Sequence, residues 1–188
     1  MPSHIASVGP KIHRIACIPG DGIGVDITEA AIRVLNALAA ASGDFSFDFT
    51  TFDWSSKNYL ERGYYMPPDG IAQLKKFDAI YFGAVGWPDV PDHISLWSLI
   101  LPIRKDLNQY VNVRPTRILP GTKSPLEGCK IGNLDWIIIR ENSEGEYSGQ
   151  GGISHGETDY AVATEVSIVR EVLPPSQLPH STPKADYD

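Results

Sequence analysis

The sequence predicts an α/β protein with a parallel sheet, and three observations carry that prediction. Apolar runs of strand length recur in the first ninety residues, and a long amphipathic stretch separates the first two. Glycine or proline marks most of the boundaries. Strand, helix, strand, helix, strand is the order from which crossover connections build a parallel sheet.

The first strand is "KIHRIACI" (11–18), a short apolar run bounded by turn residues. From Val25 onward, Ile27, Ala30, Ala31, Val34, Leu35 and Leu38 recur at three- and four-residue spacing, which makes one face of a helix. That helix stops near Ser42-Gly43. "FSFDFTTF" (45–52) alternates aromatic and small polar residues, the pattern of a half-buried strand. "PPDGIAQLKKF" (67–77) reads as a helix with proline in its first turn, and "DAIYFGAVG" (78–86) as an apolar strand. The stretch 91–107 is expected to be helical, with Pro102 kinking it or ending its first part.

"VNVRPTRIL" (111–119) is expected to be extended, because the residue before proline is driven out of the α region. "LDWIIIREN" (134–142) is the most hydrophobic strand. The glycine-rich 145–159 is expected to form a hairpin or a projecting arm, and "YAVATEVSIV" (160–169) an alternating strand. Residues 171–188, rich in proline and without periodicity, read as a disordered tail.

A net charge of −7 argues against nucleic acid and anionic membrane as partners, since both need a basic surface. Cys17 and Cys129 are the only cysteines, and they read as free thiols in a reducing compartment. The first fourteen residues lack an apolar stretch of signal-peptide length, and no run of about 18 apolar residues occurs. A cytoplasmic protein is expected.

"IPGDGIG" (18–24) follows a strand and opens a helix, the place of a dinucleotide fingerprint. Its glycines are Gly20, Gly22 and Gly24, and Val25 stands where the third glycine belongs. No acidic residue sits cleanly at the end of the second strand about 20 residues on, so the fingerprint fails. Two readings stay open: a tight strand-to-helix turn, or backbone N–H groups at a helix start that face an anion.

Arg104, Arg114 and Arg140 each end or follow an apolar segment. Their planar forks suit carboxylates, so a substrate with two carboxylates would explain all three; ordinary ion pairing would explain any one. Tyr147, within "EGEYSG", is either a proton donor to a developing enol or a packing aromatic. Trp97 is by default a core or lobe-contact residue. His13, His93 and His155 are isolated from one another and from the cysteines, so no metal role attaches to them.

Together "IPGDGIG", "DAIYFGAVGWP", "LWSLILPIRKDL", "VNVRP", "IIIRENSEGEYSGQGG" and "ATEVSIV" resemble the metal-dependent β-decarboxylating dehydrogenases, the isopropylmalate, isocitrate, D-malate and tartrate dehydrogenases. The likeness covers roughly residues 12 to 170 and is greatest to the tartrate/D-malate branch. It implies an isopropylmalate/isocitrate dehydrogenase-like fold, not a true Rossmann fold, present here only as the N-terminal part of both lobes. The implied division is a tail over 1–11, part of the cofactor lobe over 12–102, part of the substrate and dimer lobe over 103–170, and the tail 171–188.

The resemblance also implies a reaction. A 2-hydroxy acid gives its hydride to NAD, the β-keto acid loses CO2, and a tyrosine protonates the resulting enol. Arg104, Arg114 and Arg140 would clamp the dicarboxylate, and Tyr147 would match the tyrosine. Trp97 falls where the family reads the substrate's side group near the nicotinamide, and Ile23 and Trp97 are the implied cofactor contacts. Family members also use Mn2+ or Mg2+. The matching segment stops near Arg170, short of the lysine and the metal-holding aspartates, so a truncated chain is expected. The expected partners are a small dicarboxylate 2-hydroxy acid and either a second copy or a full-length paralogue. The alternative is an inactive family member that binds a dicarboxylate or a protein partner.

Overall fold

The computed structural model describes residues 11–154 and 160–163. One compact unit runs to Ser143 and a second begins at Glu144. The tails and the later part of 160–169 lie outside the described residues.

The first unit opens with β1 (Lys11–Gly20), α1 (Ile23–Ser42) and β2 (Phe45–Thr51). Strand β3 (Ala79–Ala84) follows two short helices, α2 (Ser56–Arg62) and α3 (Gly70–Leu74). The sheet order is β2-β1-β3 with both pairings parallel, as the strand and helix order predicts. β1 pairs Lys11 with Phe45 on one side and Ile15 with Ala79 on the other.

Being central, β1 buries both faces, and Ile15, Ala16, Cys17 and Ile18 form the least exposed run of the sheet. Ala16 and Ile18 join Trp54, Tyr65, Leu74, Val90, Leu99 and Ile103 in one core on the face opposite α1. Burial raises the Cys17 thiol pKa.

Three expectations need correction. The helix expected over 67–77 spans only Gly70–Leu74, because its first residues make a turn in which Gly70 N–H donates to the Pro67 carbonyl. Helix α2 was not expected at all; Ser55 caps it, accepting from Asn58 N–H at 3.2 Å, and Gly63 ends it in the left-handed region. Finally, α1 packs through Gly24, Thr28 and Ala39, which are buried, while Ile27, Val34 and Leu38 of the expected face are exposed. Small residues allow a closer seat on the sheet, so the helix is rotated away from its bulky stripe.

The helical stretch after β3 is α4 (Asp92–Ser95), a π turn (Leu96–Ile100) and α5 (Leu101–Asp106). Leu101 N–H donates five residues back, to the Leu96 carbonyl. The cause is Pro102, which has no N–H and whose ring crowds the carbonyl four residues earlier, so the helix widens before it instead of ending. β4 (Val111–Arg117) and β5 (Asp135–Glu141) then form a two-stranded antiparallel ribbon, Val111 opposite Glu141.

The second unit contains a 3-10 turn (Gly145–Ser148) and an antiparallel pair, β6 (Gly151–Ser154) and β7 (Tyr160–Ala163). The expectation for 145–159 is a hairpin or a projecting arm; residues 155–159, between the two strands, lie outside the described set.

Candidate active site

The glycine turn is a packing device. A Cβ on Gly24 would collide with the Pro19 carbonyl oxygen and stand 2.6 Å from Ala84 N, and one on Gly83 would meet the same Pro19 oxygen. Helix α1 therefore seats directly on the ends of β1 and β3, an approach that only glycine permits. Gly22 turns the chain at φ 50°, in the left-handed region.

Asp21, between the glycines, organises the carboxyl ends of these strands, and sequence reasoning missed it. Its carboxylate accepts from Ser56 N–H at 2.8 Å, Ser56 Oγ at 2.6 Å and Gly86 N–H at 3.0 Å. The Ser56 hydroxyl spends its proton on Asp21, so Tyr65 Oη, 2.7 Å away, donates to Ser56 Oγ. Burial raises the Tyr65 pKa, the Ser56 bond opposes that, and the Asp21 charge adds to it. An aspartate in a glycine turn was the available signal, but its partners lie 35 and 65 residues away.

At the first residue of α1, Ile23 is 66% exposed, at the carboxyl end of a parallel sheet where ligands of α/β proteins bind. Trp97 lies in the π turn, 43% exposed, with Lys105 Nζ 5.4 Å from its ring centroid. In an uninterrupted helix a residue eight positions on is about 80° out of line. The extra residue of the π turn holds back that rotation and brings Lys105 under the indole, leaving Arg104 to another side.

There Arg104 meets Arg140. Burial lowers the Arg104 pKa, and the nearby positive charge of Arg140 lowers it further. Arg140 is opposite Asn112 in the ribbon and Arg114 is opposite Ile138, so Asn112, Arg114 and Arg140 share one face. The structure thus puts Arg114 on the Arg140 face and Arg104 within electrostatic range of Arg140. Tyr147 belongs to the second unit, half-buried on the 3-10 turn, its N–H donating to the Glu144 carbonyl at 3.1 Å.

A cavity of about 250 Å³ lies beside Arg104, with Ile80, Phe82 and Ile103 as apolar wall and Gln109, Asn112 and Asn142 as polar lining. Among the described residues, no group of three or more His, Cys, Asp or Glu is arranged to hold a metal ion. The described residues by themselves do not fit a divalent metal.

Residues 14–173 match the family model of isocitrate/isopropylmalate dehydrogenase. The chain belongs to the isocitrate/isopropylmalate dehydrogenase family. This dehydrogenase-family chain is 58% identical over 160 residues to a probable tartrate dehydrogenase/decarboxylase of Agrobacterium vitis, covering 85% of the chain and 45% of that protein. To the D-malate dehydrogenase (decarboxylating) of Escherichia coli K12 it is 49% identical, over 84% of the chain and 44% of the relative. The crystal structure of isocitrate dehydrogenase from Methylococcus capsulatus superposes with a TM-score of 0.63 at 26% identity, over 84% of the chain and 43% of that one. The fold is therefore isocitrate/isopropylmalate dehydrogenase-like, and the chain spans less than half the length of the relatives it matches. Among the described residues, no helix is long and apolar enough to cross a membrane.

Proposed function

We propose that this chain carries the substrate-clamping part of an NAD-dependent, β-decarboxylating dehydrogenase for a tartrate- or D-malate-type hydroxy acid. The observation that carries the reading is that Arg114 and Arg140 share one face of the ribbon while Arg104 lines a cavity of about 250 Å³ with Asn112, the cross-strand neighbour of Arg140. A dicarboxylate supplies two negative groups to such planar forks. Similarity to tartrate and D-malate dehydrogenases supports the substrate class.

In this reading the three arginines bind and orient the diacid, and Tyr147 delivers a proton to the enol left after CO2 departs. NAD, when bound, supplies the hydride acceptor; Ile23 and Trp97, both exposed, fit as its apolar contacts. The assembly is a homodimer or a pairing with a full-length paralogue, in the cytoplasm, as two free cysteines and the acidic charge support. The test incubates purified chain with NAD, Mn2+ or Mg2+, and tartrate or D-malate while following reduced cofactor by absorbance. Turnover that Arg104→Ala removes is expected; no reduction with any hydroxy acid overturns the reading.

A second reading is a dicarboxylate- or partner-binding protein without turnover. It needs only the arginine face of the ribbon and the cavity beside Arg104. It expects diacid-induced thermal stabilisation that Arg114→Ala abolishes, and turnover by the pure protein would count against it.

A further inference from the structure

Helix α1 carries a second apolar face beside the one that seats on the sheet. The seat is made by Gly24, Thr28 and Ala39, which are buried against β1, β2 and β3. Ile27, Ala30, Val34, Ala37 and Ala41 recur at alternating three- and four-residue steps, and all are exposed, Val34 by 67%. That alternation is the heptad repeat of a seam that receives another helix. Thr28 follows Ile27 by one residue, so the seam lies about 100° around the helix from the seat. Leu38, also exposed, widens the seam on its sheet side.

The charges on the flank away from the sheet decide what the seam fits. Asp26 and Arg33 stand there one heptad apart, both exposed, and neither forms an ion pair among the described residues. Within one helix they are two turns, about 10 Å, apart, too far to pair. Two copies of α1 laid antiparallel across a two-fold axis bring each Asp26 to the other's Arg33. In the same register Ile27 of each copy lies against Ala30 of the other, a bulky side chain against a small one. Val34 then reaches the first turn of the other helix. Antiparallel order also sets opposite ends of the two helix dipoles side by side, whereas a parallel pair would set like ends together and keep Asp26 from Arg33.

We propose that α1 is an interface between two copies of this chain, paired antiparallel through Ile27, Ala30 and Val34 and registered by reciprocal Asp26–Arg33 ion pairs. The inference rests on the homodimer reading above, to which it gives a surface, and it is independent of the arginine clamp. A two-fold interface uses the same patch on both subunits, so one substitution acts twice.

The test is sedimentation equilibrium of the full chain over a concentration series, with circular dichroism to establish that each variant is folded. The wild type is expected to form a concentration-dependent dimer. Val34→Glu, at an exposed position, should weaken that dimer about tenfold or more and leave the circular dichroism unchanged. Arg33→Asp should weaken it about threefold to tenfold. Combining Arg33→Asp with Asp26→Arg should restore it, because the exchanged charges meet again only across two copies. A dimer that withstands Val34→Glu, or one that the double variant fails to restore, overturns the inference and leaves the homodimer reading standing. A wild-type chain that stays monomeric overturns both.

Discussion

Strands β1 and β5 are both strongly apolar, and they end in opposite surroundings. Ile15, Ala16, Cys17 and Ile18 of β1 are at most 8% exposed, whereas Trp136, Ile137, Ile138 and Ile139 of β5 are 45–68% exposed. Hydropathy is not the difference. β1 has a strand on each side, α1 on one face and the Trp54–Tyr65 core on the other, while among the described residues β5 has a single neighbour in a two-stranded ribbon. The comparison teaches that an apolar strand is buried by what the chain stacks on it. A ribbon alone cannot supply that cover.

The comparison breaks most visibly at Asp21. Asp21→Ala leaves the buried Ser56 N–H, the part-buried Gly86 N–H and the Ser56 hydroxyl without their acceptor, and the expected loss is about 3 kcal/mol, measured by urea unfolding. Asp21→Asn, which keeps one acceptor oxygen, should lose less. Next in size is Gly83→Ala, whose new methyl meets the Pro19 carbonyl and Thr28 Oγ1; about 1–3 kcal/mol is expected from the same measurement. A change below 0.5 kcal/mol would show that α1 does not seat on the sheet as closely as described.

Substitution on the ribbon sharpens the contrast. Ile137→Thr and Ile139→Thr should each alter stability by no more than about 0.5 kcal/mol. A loss of 2 kcal/mol would mean that the face is covered in solution. The smallest effect belongs to Asp78, which holds the end of the sheet to the Arg14 N–H at 2.8 Å. That N–H bond is the largest cause of the lowered Asp78 pKa in the folded chain; desolvation opposes it, and the Arg14 charge adds to the lowering. Its contribution is present above the unfolded aspartate pKa and is lost as pH falls through the lower folded value. Comparing acid unfolding of wild type and Asp78→Asn should show a shallower descent in the variant; identical curves would rule the contribution out.

Much of the three-stranded sheet was legible from local pattern, since each strand and α1 carries its own periodicity and its own glycine or proline stop. What stayed hidden is non-local. Helix α2 is held by a cap and by Asp21 rather than by a long apolar stripe, and the packing face of α1 is made of Gly24, Thr28 and Ala39, which hydropathy barely registers. At the site, Arg104, Arg114 and Arg140 announced themselves as charges after apolar runs. Asn112 and Asn142 did not, because an uncharged amide becomes conspicuous only when burial removes its water.

The π turn before Pro102 has a consequence for what the gene must preserve. Substitutions within "LWSLI" can keep the number of residues and therefore the phase of everything after it. If the same residues formed a regular helix, Arg104, seven positions after Trp97, would take the line under the indole and Lys105 would turn about 80° away. Deleting one residue after Trp97 would instead keep Lys105 on that line. In this stretch the count of residues carries information that their identities alone do not.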